Sequence, residues 1–317
     1  MQSRTMRFFT KMTLVLTVSL FGFLYIKQNR HNIHDINCTI DTITTAVELK
    51  NHATGDIITS HKYVIGPFSP SEGFFTSFNT VLDHLKWCEE HGKTPVIFWD
   101  KNSLYYVDEG FNGSHNAWEY YFEPVSREKY TPGDVVYGGL DERPILCTGL
   151  GTRDKVRNLI SRYIKINAIV CKKIDDFYNK HMLGKKTIGI HLRGTDKYRE
   201  AGSPPSPEKI AQVALQHADY DTQFLIAGDE KALFDALRNA LQGRKVIFYD
   251  CYRSPDKKSL HLDASSDPDK PSKAQLGEDV LIEASLLAKC DFLVHNMSTV
   301  AVTVLYFNPE LQHSYVH

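Results

Sequence analysis

The sequence lacks an excess of charge of either sign. Its 317 residues include 37 Lys and Arg and 38 Asp and Glu, which gives a formal net charge of −1. A protein that holds nucleic acid on a broad basic surface needs a cationic excess, so this composition argues against a nucleic-acid partner. Any site for a polyanion must therefore be a local pocket. Internal repeats and low-complexity tracts are absent as well, so nothing indicates a repeat architecture.

The cysteines lack the spacing of a metal or redox motif. No two of the six stand at Cys-x-x-Cys spacing, which argues against a zinc ribbon or a thioredoxin-type motif. A chain of this length does not depend on a disulfide framework, so we interpret most of the thiols as small buried hydrophobic groups. A few bridges remain open if the protein is lumenal. The six positions are Cys38, Cys88, Cys147, Cys171, Cys251 and Cys290.

An apolar run lies near the N-terminus. Residues 12–26 carry no charge over 15 positions, and basic residues flank the run on both sides. Adding residues 8–10 brings it close to the length of a membrane helix, which needs about 17–25 residues. We favour a signal anchor within residues 1–30. A cleaved signal peptide and a peripheral or buried helix are the alternatives, and charge on both flanks weakens the prediction of orientation.

The segment after the anchor, residues 31–60, is polar and irregular, like a stem. With an anchor before it, the chain is predicted to be a single-pass type II membrane protein, in the Golgi or ER lumen if the source is eukaryotic. Two glycosylation sequons, at Asn37 and Asn112, fit a lumenal chain. A third sequon at Asn296 follows a predicted strand, and we interpret that segment as part of a binding site.

Strands and helices alternate regularly in the second half of the chain. Short apolar runs at residues 187–191, 223–227, 245–249 and 291–295 read as strands, and helical patterns at 206–217, 230–241, 278–288 and 298–306 separate or follow them. This alternation predicts a parallel sheet covered on both faces. The first half reads as mixed α/β, with a helix at 75–91 and a strand at 95–99. A long helix or helix pair at 154–180 leads into the second half. We predict an N-terminal domain at 61–170 and a C-terminal, Rossmann-like domain at 171–317.

Polar side chains follow all four predicted strands of the second half. In open parallel sheets, ligands bind beyond the carboxyl ends of the strands. Arg193 follows the first strand, and Arg suits forked contacts with phosphate oxygens. Ser298 and Thr299 stand where the last helix begins, and free N–H groups at such a start attract anions. Each residue also has an ordinary structural interpretation, such as a helix cap, but together they predict a phosphate site.

Two motifs in this half resemble a known family. HLRGTDK at residues 191–197 and EDVLIEASLLAKCDFLVHNMSTV at residues 278–300 are similar to motifs of the GDP-fucose transferases. The α1,6-fucosyltransferases and the rhizobial nodulation fucosyltransferases are the most similar, and the protein O-fucosyltransferases are more distant. The resemblance covers residues 185–308. It implies a GT-B-like α/β fold with two Rossmann-like domains, in which residues 61–170 form the acceptor side.

The resemblance also implies the donor-site residues. Arg193 would neutralise the β-phosphate of GDP, and Ser298 and Thr299 would bind the same phosphate. His191 would contact the nucleotide near guanine, and Glu283 would accept hydrogen bonds from guanine N1 and N2.

Two acids complete the implied site. Asp196 would orient the loop or the ribose, and Asp229 would shape the floor of the pocket.

The sequence departs from the family pattern at two positions. Gly194 stands where the α1,6 enzymes have a second arginine. The family's general base is a Glu beyond Lys197, and Glu200 lies one position early, so Asp196 remains the alternative base. Lys197 would help Arg193 to stabilise the leaving diphosphate. Acceptor identity does not transfer, because the first half resembles those enzymes much less.

The expected activity is an inverting transfer of fucose from GDP-fucose to a hydroxyl of a glycan or glycoprotein. We predict no metal or other cofactor, because the two Asp-x-Asp triplets, at Asp219 and Asp267, read as loop acids. The aromatic cluster Trp118, Tyr120 and Tyr121 is either an acceptor platform or core. Two alternatives remain: a transferase for another nucleotide sugar, and a non-catalytic nucleotide- or glycan-binding protein on the same fold.

Overall fold

The computed structural model describes residues 61–67, 72–138, 153–195, 205–260 and 267–317. The predicted anchor and stem lie outside these ranges, as do Asp196, Lys197 and Glu200. Within the described ranges, no helix combines the length and the apolar character needed to cross a bilayer. Residues 61–317 form one compact unit.

The smaller sheet lies in the first half of the chain and has three parallel strands. Their order is β2-β1-β3, and β1 pairs with β2 along its whole length and with β3 through Val64 and Ile65. The predicted helix and strand of this half are confirmed, each shifted by one or two residues at its ends, while β1 and β3 were not predicted. The elements are β1 (Lys62–Ile65), α1 (Phe74–Glu90), β2 (Thr94–Ile97) and β3 (Val136–Tyr137).

The larger sheet has five parallel strands in the order β6-β5-β4-β7-β8. The predicted alternation is confirmed, with a further strand, β8, at the edge. The predicted helical stretch at 154–180 is a helix pair. The elements are α2 (Arg153–Tyr163), α3 (Ala168–His181), β4 (Thr187–Leu192), α4 (Pro207–Gln216), β5 (Gln223–Gly228), α5 (Lys231–Ala240), β6 (Val246–Ile247), α6 (Lys273–Leu287), β7 (Phe292–His295), α7 (Thr299–Phe307) and β8 (Gln312–Tyr315).

Strand β4 is the central strand of the larger sheet, and every residue in it is buried. Its register sets His191 beside Ala227 of β5 and beside His295 of β7. A strand that is covered on both faces reads as a continuous apolar run, which explains the sequence Thr-Ile-Gly-Ile before the polar residues begin. The chain therefore becomes polar where β4 leaves the sheet.

The aromatic cluster of the first half belongs to the core. Trp118, Tyr120 and Tyr121 are each 0% exposed and pack with Phe74 and Phe78 of α1. Of the two interpretations of these residues, the structure supports the core, because their buried rings cannot contact a sugar. Burial of such large rings stabilises the folded chain.

The cysteines in the described ranges are free thiols, namely Cys88, Cys171, Cys251 and Cys290. Cys88 and Cys290 are buried, which confirms their interpretation as small hydrophobic groups. The remaining two, Cys171 and Cys251, are half-buried.

Glu278 on α6 is a buried charge that joins the two halves of the chain. Its side chain is fully buried and forms an ion pair with Lys173 of α3. Asn112 donates to Oε1 at 2.8 Å, and Gln275 donates to Oε2 at 3.0 Å. A buried carboxylate is tolerated only when it is paired and hydrogen-bonded in this way.

Two sequon asparagines are used by the fold. Asn112 donates its side-chain N–H groups to the Tyr120 carbonyl and to Glu278, both at 2.8 Å. Asn296 is buried and exchanges two hydrogen bonds with the backbone of Arg193. Both asparagines therefore have a structural role in the folded chain.

Lys173→Ala is expected to lower the free energy of unfolding by about 2–4 kcal/mol, because it leaves the Glu278 carboxylate buried without its cation. Denaturant titration of the full chain measures this change. The matched control is Lys172→Ala, whose exposed pair with Asp176 contributes less than about 1 kcal/mol. Equal effects of the two substitutions would contradict a structural role for the buried pair.

Candidate functional site

A cavity of about 310 Å³ opens at the carboxyl edge of the larger sheet. Six residues predicted from the sequence line it together, and the first turn of α1 forms part of the wall. The structure thus brings together residues that lie more than 100 positions apart in the chain. The six are His191, Arg193, Asp229, Glu283, Ser298 and Thr299.

Arg193 is held at this edge through both its backbone and its side chain. Its backbone N–H donates to Asn296 Oδ1, and its carbonyl accepts from Asn296 Nδ2, each at 2.8 Å. Its Nε lies 3.2 Å from Asp229 Oδ2, and both side chains are largely buried. The Asn296 segment was predicted to belong to the binding site, and its hydrogen bonds to the Arg193 backbone give this residue its place there.

Asp229 organises the loop that follows β4. One oxygen accepts the Gly194 backbone N–H at 2.8 Å, and the other accepts the Thr195 hydroxyl at 2.6 Å. Glu230 adds a hydrogen bond from the Thr195 N–H at 3.2 Å. A side chain at residue 194 would collide with the Glu230 carboxylate, which accounts for glycine where related motifs have arginine. Asp229 therefore positions the loop as well as lining the cavity.

His191 presents an unsatisfied nitrogen at the cavity. The side chain is 4% exposed, and its Nδ1 has no hydrogen-bond partner among the described residues. Burial lowers the pKa of His191 to about 3, and the charges of Arg193 and His295 add to this effect. The ring is therefore neutral at physiological pH, and a ligand group would satisfy it at low cost.

Glu283 is a buried carboxylic acid that ionises near neutral pH. Burial raises the pKa of Glu283 to about 7, while Arg253 opposes the increase. Arg253 Nη2 donates to Glu283 Oε1 at 2.7 Å, and the Cys251 thiol donates to the same oxygen at 3.4 Å. The Arg253 guanidinium also lies 4.1 Å from the ring centre of Phe234. Arg253 follows β6 in the chain, and both side chains of its ion pair with Glu283 are buried.

Asp279 is a second weak acid on the wall of the cavity. Burial raises the pKa of Asp279 to about 6, although Gln275 donates a hydrogen bond to it at 2.8 Å. It lies one helical turn before Glu283 on α6, so the two carboxyls face the same cavity. A single hydrophobic helix therefore carries both acids of this wall.

Two helices begin at the cavity. Gly73 to Thr76, at the start of α1, line it, and Gly73 has no side chain to cap that helix. Ser298 caps α7 by accepting the Val300 N–H at 3.1 Å. The first turn of a helix carries a partial positive charge and N–H groups without helical partners. Together with Arg193, these helix starts favour an anion.

Neither Asp-x-Asp triplet lies on the cavity. Asp219 forms an ion pair with Lys186 at the opposite edge of the sheet, where β4 and β5 begin. Asp267 accepts hydrogen bonds from the Tyr252 hydroxyl at 2.8 Å and from the Asp269 N–H at 3.0 Å. The described ranges also contain no group of three or more His, Cys, Asp or Glu side chains arranged to hold a metal ion.

Comparison with known proteins finds similarity in three dimensions only. No protein-family model matches the chain, and no curated protein matches it either. The structure of the fucosyltransferase NodZ from Bradyrhizobium superposes with a TM-score of 0.54 at 16% identity, covering 79% of this chain and 94% of that one.

Two further NodZ structures carry ligands of interest. NodZ α-1,6-fucosyltransferase co-crystallised with GDP gives a TM-score of 0.53 at 17% identity, over 79% of this chain and 94% of that one. The same enzyme soaked with GDP-fucose gives 0.52 at 16% identity, over 78% and 92%. The chain therefore has a fucosyltransferase-like α/β fold, as the resemblance of its two motifs to the GDP-fucose transferases predicted.

Proposed function

We propose that this protein is a glycosyltransferase that moves fucose from GDP-fucose to a hydroxyl group of a glycan or glycoprotein. The observation that carries the proposal is that Arg193, the Ser298 helix start and Glu283 line one cavity. The diphosphate of GDP needs cationic partners, and its guanine needs a group that accepts hydrogen bonds from N–H donors. This cavity offers both. NodZ structures with the same fold were obtained by co-crystallisation with GDP or by soaking with GDP-fucose, which supports the choice of donor.

The diphosphate is the leaving group, and its charge grows as the bond to the sugar breaks. Arg193, Ser298 and Thr299 would hold it, with the α7 start supplying N–H groups. Because Arg193 is fixed by Asp229 and Asn296 before any ligand binds, little reorganisation is needed as that charge develops. Lys197 would add a second cation from the loop beyond Thr195.

The base end of the cavity would recognise guanine. Guanine N1–H and the N2 amino group are neighbouring donors, and an ionised Glu283 can accept from both. Arg253 occupies only Oε1 of that carboxylate among the hydrogen bonds of the described residues. His191, with its neutral ring and unsatisfied Nδ1, would contact the nucleotide beside it.

The acceptor hydroxyl must lose a proton during transfer. We assign this step to Glu200 as general base, with Asp196 as the alternative. A single displacement inverts the anomeric centre, and we propose that it proceeds without a metal ion. Residues 61–170 would form the acceptor side of a GT-B-like pair of Rossmann-like domains, and residues 171–317 the donor side.

We further propose that residues 1–30 anchor the protein in a membrane, with residues 31–60 as a stem and the catalytic part in the Golgi or ER lumen if the source is eukaryotic. A detergent-free carbonate wash of membranes from expressing cells, with and without residues 1–30, tests the anchor. Release of the full chain by the wash would rule the anchor out.

A different nucleotide sugar is the second candidate, and Gly194 is the observation that favours it. Glu230 fills the space of the second arginine, so this loop has one guanidinium fewer. Calorimetry with GDP, ADP and UDP separates the two candidates. Release of the free nucleotide from the sugar donor whose nucleotide binds, in the presence of mixed glycans, separates both from a protein that only binds.

Arg193→Ala is expected to weaken GDP binding by about 100-fold, because two charge-assisted hydrogen bonds to phosphate are lost. Calorimetry on the full chain measures the loss. The matched control is Arg162→Ala, whose exposed pair with Glu89 lies away from the cavity. Unchanged affinity in Arg193→Ala would place the phosphate elsewhere.

GDP affinity is expected to rise with pH between pH 6.5 and 8. The pKa of Glu283 is raised to about 7, so below this pH the carboxyl is protonated and accepts fewer hydrogen bonds, and above it the carboxylate is available. Asp279 has a pKa raised only to about 6, so most of its ionisation lies below this window.

Glu283→Gln is expected to bind GDP weakly and with little dependence on pH. Glu208→Gln, at the exposed start of α4, serves as the control and keeps the native profile. If the GDP affinity of the native protein does not change between pH 6.5 and 8, Glu283 does not bind guanine.

Glu200→Gln is expected to retain GDP affinity and to lose transfer by about 100-fold or more, because the amide cannot take the proton. GDP release from GDP-fucose with mixed glycan acceptors measures turnover. Asp196→Asn is assayed alongside it, since it is the alternative base. Native turnover in Glu200→Gln would move the assignment away from Glu200.

A further inference from the structure

A chain of hydrogen bonds runs from the start of α2 to the arginine of the cavity. Arg153 Nη2 lies 2.7 Å from His313 Nε2 on β8. His313 Nδ1 lies 3.0 Å from His295 Nε2 on β7, and His295 Nδ1 lies 3.1 Å from the Asn296 carbonyl. The Asn296 side chain then brackets the backbone of Arg193 through two bonds of 2.8 Å.

The direction of every hydrogen bond in this chain follows from its first member. A guanidinium can only donate, so His313 Nε2 must accept and its proton must sit on Nδ1. That proton is donated to His295 Nε2, which leaves the His295 proton on Nδ1. His295 then donates to the Asn296 carbonyl. Both rings are neutral in this arrangement, and each is in the Nδ1-protonated tautomer.

The surroundings of the two rings favour the neutral form. Burial lowers the pKa of both His295 and His313, and the positive charge of Arg153 lowers both further. The groups that face His295 are His313, His191 on the neighbouring strand β4, and the ring of Tyr315. No carboxylate hydrogen-bonds either imidazole within the described ranges. A second proton on either ring would point one N–H group at another, at Arg153 in the case of His313 and at His313 in the case of His295.

We propose that Arg153, His313 and His295 are positioning residues for the donor cavity, acting through Asn296 on Arg193. The proposal rests on the function proposed above for this site. Because His295 holds the Asn296 carbonyl, it fixes the peptide group between Asn296 and Met297, and with it the backbone from which the Asn296 side chain extends. The same short turn leads to Ser298 at the start of α7. This relay, formed by Arg153, His313, His295 and Asn296, thereby holds Arg193 and the start of α7 in a fixed relative position.

Arg153→Met tests this relay, because it removes the donor but keeps an unbranched side chain. The half-buried position of Arg153 makes the substitution compatible with folding. The ring ¹⁵N–¹H spectrum of the histidines, recorded on the full chain at pH 7.5, is expected to show His295 and His313 as Nδ1-protonated in the native protein. In Arg153→Met the signals of both rings are expected to shift toward mixed tautomers. Arg153→Lys retains a donor and restores the native signals.

GDP affinity provides the functional readout. Arg153→Met is expected to weaken GDP binding about fivefold, as the loss of one supporting hydrogen bond would, and Arg153→Lys to restore it. His313→Phe interrupts the same relay and is expected to weaken binding equally. The matched control is His217→Phe, since His217 stacks on Phe292 and meets Ser314 on the same strands but, within the described ranges, makes no hydrogen bond to Arg153, His313, His295 or Asn296.

The outcomes separate the relay from the function. Native ring signals in Arg153→Met, or shifted signals with unchanged GDP affinity, overturn the positioning role. If the native protein binds no GDP, the proposed function fails, and the ring spectra alone then decide whether the relay exists. Weaker GDP binding in His217→Phe, equal to that in His313→Phe, would also overturn the proposal, because any nearby ring would then matter equally.

Discussion

The placement of one guanidinium at the end of a buried strand is the constraint on which the site depends. Arg193 leaves β4 where the sheet stops covering the chain, and a buried cation there requires partners. Asp229 holds its side chain, and Asn296 holds its backbone. These contacts tie the carboxyl ends of β4, β5 and β7 together, so the strands that build the core also build the cavity.

Burial gives the cavity its chemical character. The same low-dielectric surroundings keep the His191 ring neutral and make Glu283 a weak acid. Arg253 limits the increase in the pKa of Glu283 through a buried ion pair, so both the protonated and the ionised form of Glu283 are populated near neutral pH. A cavity of this kind can present an anion-binding end and a hydrogen-bonding end within a short distance, which suits a nucleoside diphosphate.

The alternation of strands and helices was predictable because each buried strand is a short apolar run bounded by polar turns. Strands β1 and β3 escaped prediction because they are only four and two residues long, and β8 did so because it is a polar strand at the edge of the sheet. Gln312–Tyr315 is half-exposed and polar, and only its pairing with β7 makes it a strand. The aromatic cluster around Trp118 had two interpretations, and the packing of α1 against it decided for the core.

The sequence by itself determined the parallel sheet, its binding edge and the residue types that line the cavity. It did so because hydrophobic periodicity and the order of elements fix which strand ends share an edge. Only the tertiary structure decided the partners: Arg253 with Glu283, Asp229 with the Gly194 loop, and His313 with His295 and Arg153. Apart from the His313–His295 step, these contacts join residues 30 to 160 positions apart, and no local pattern encodes which distant side chain arrives.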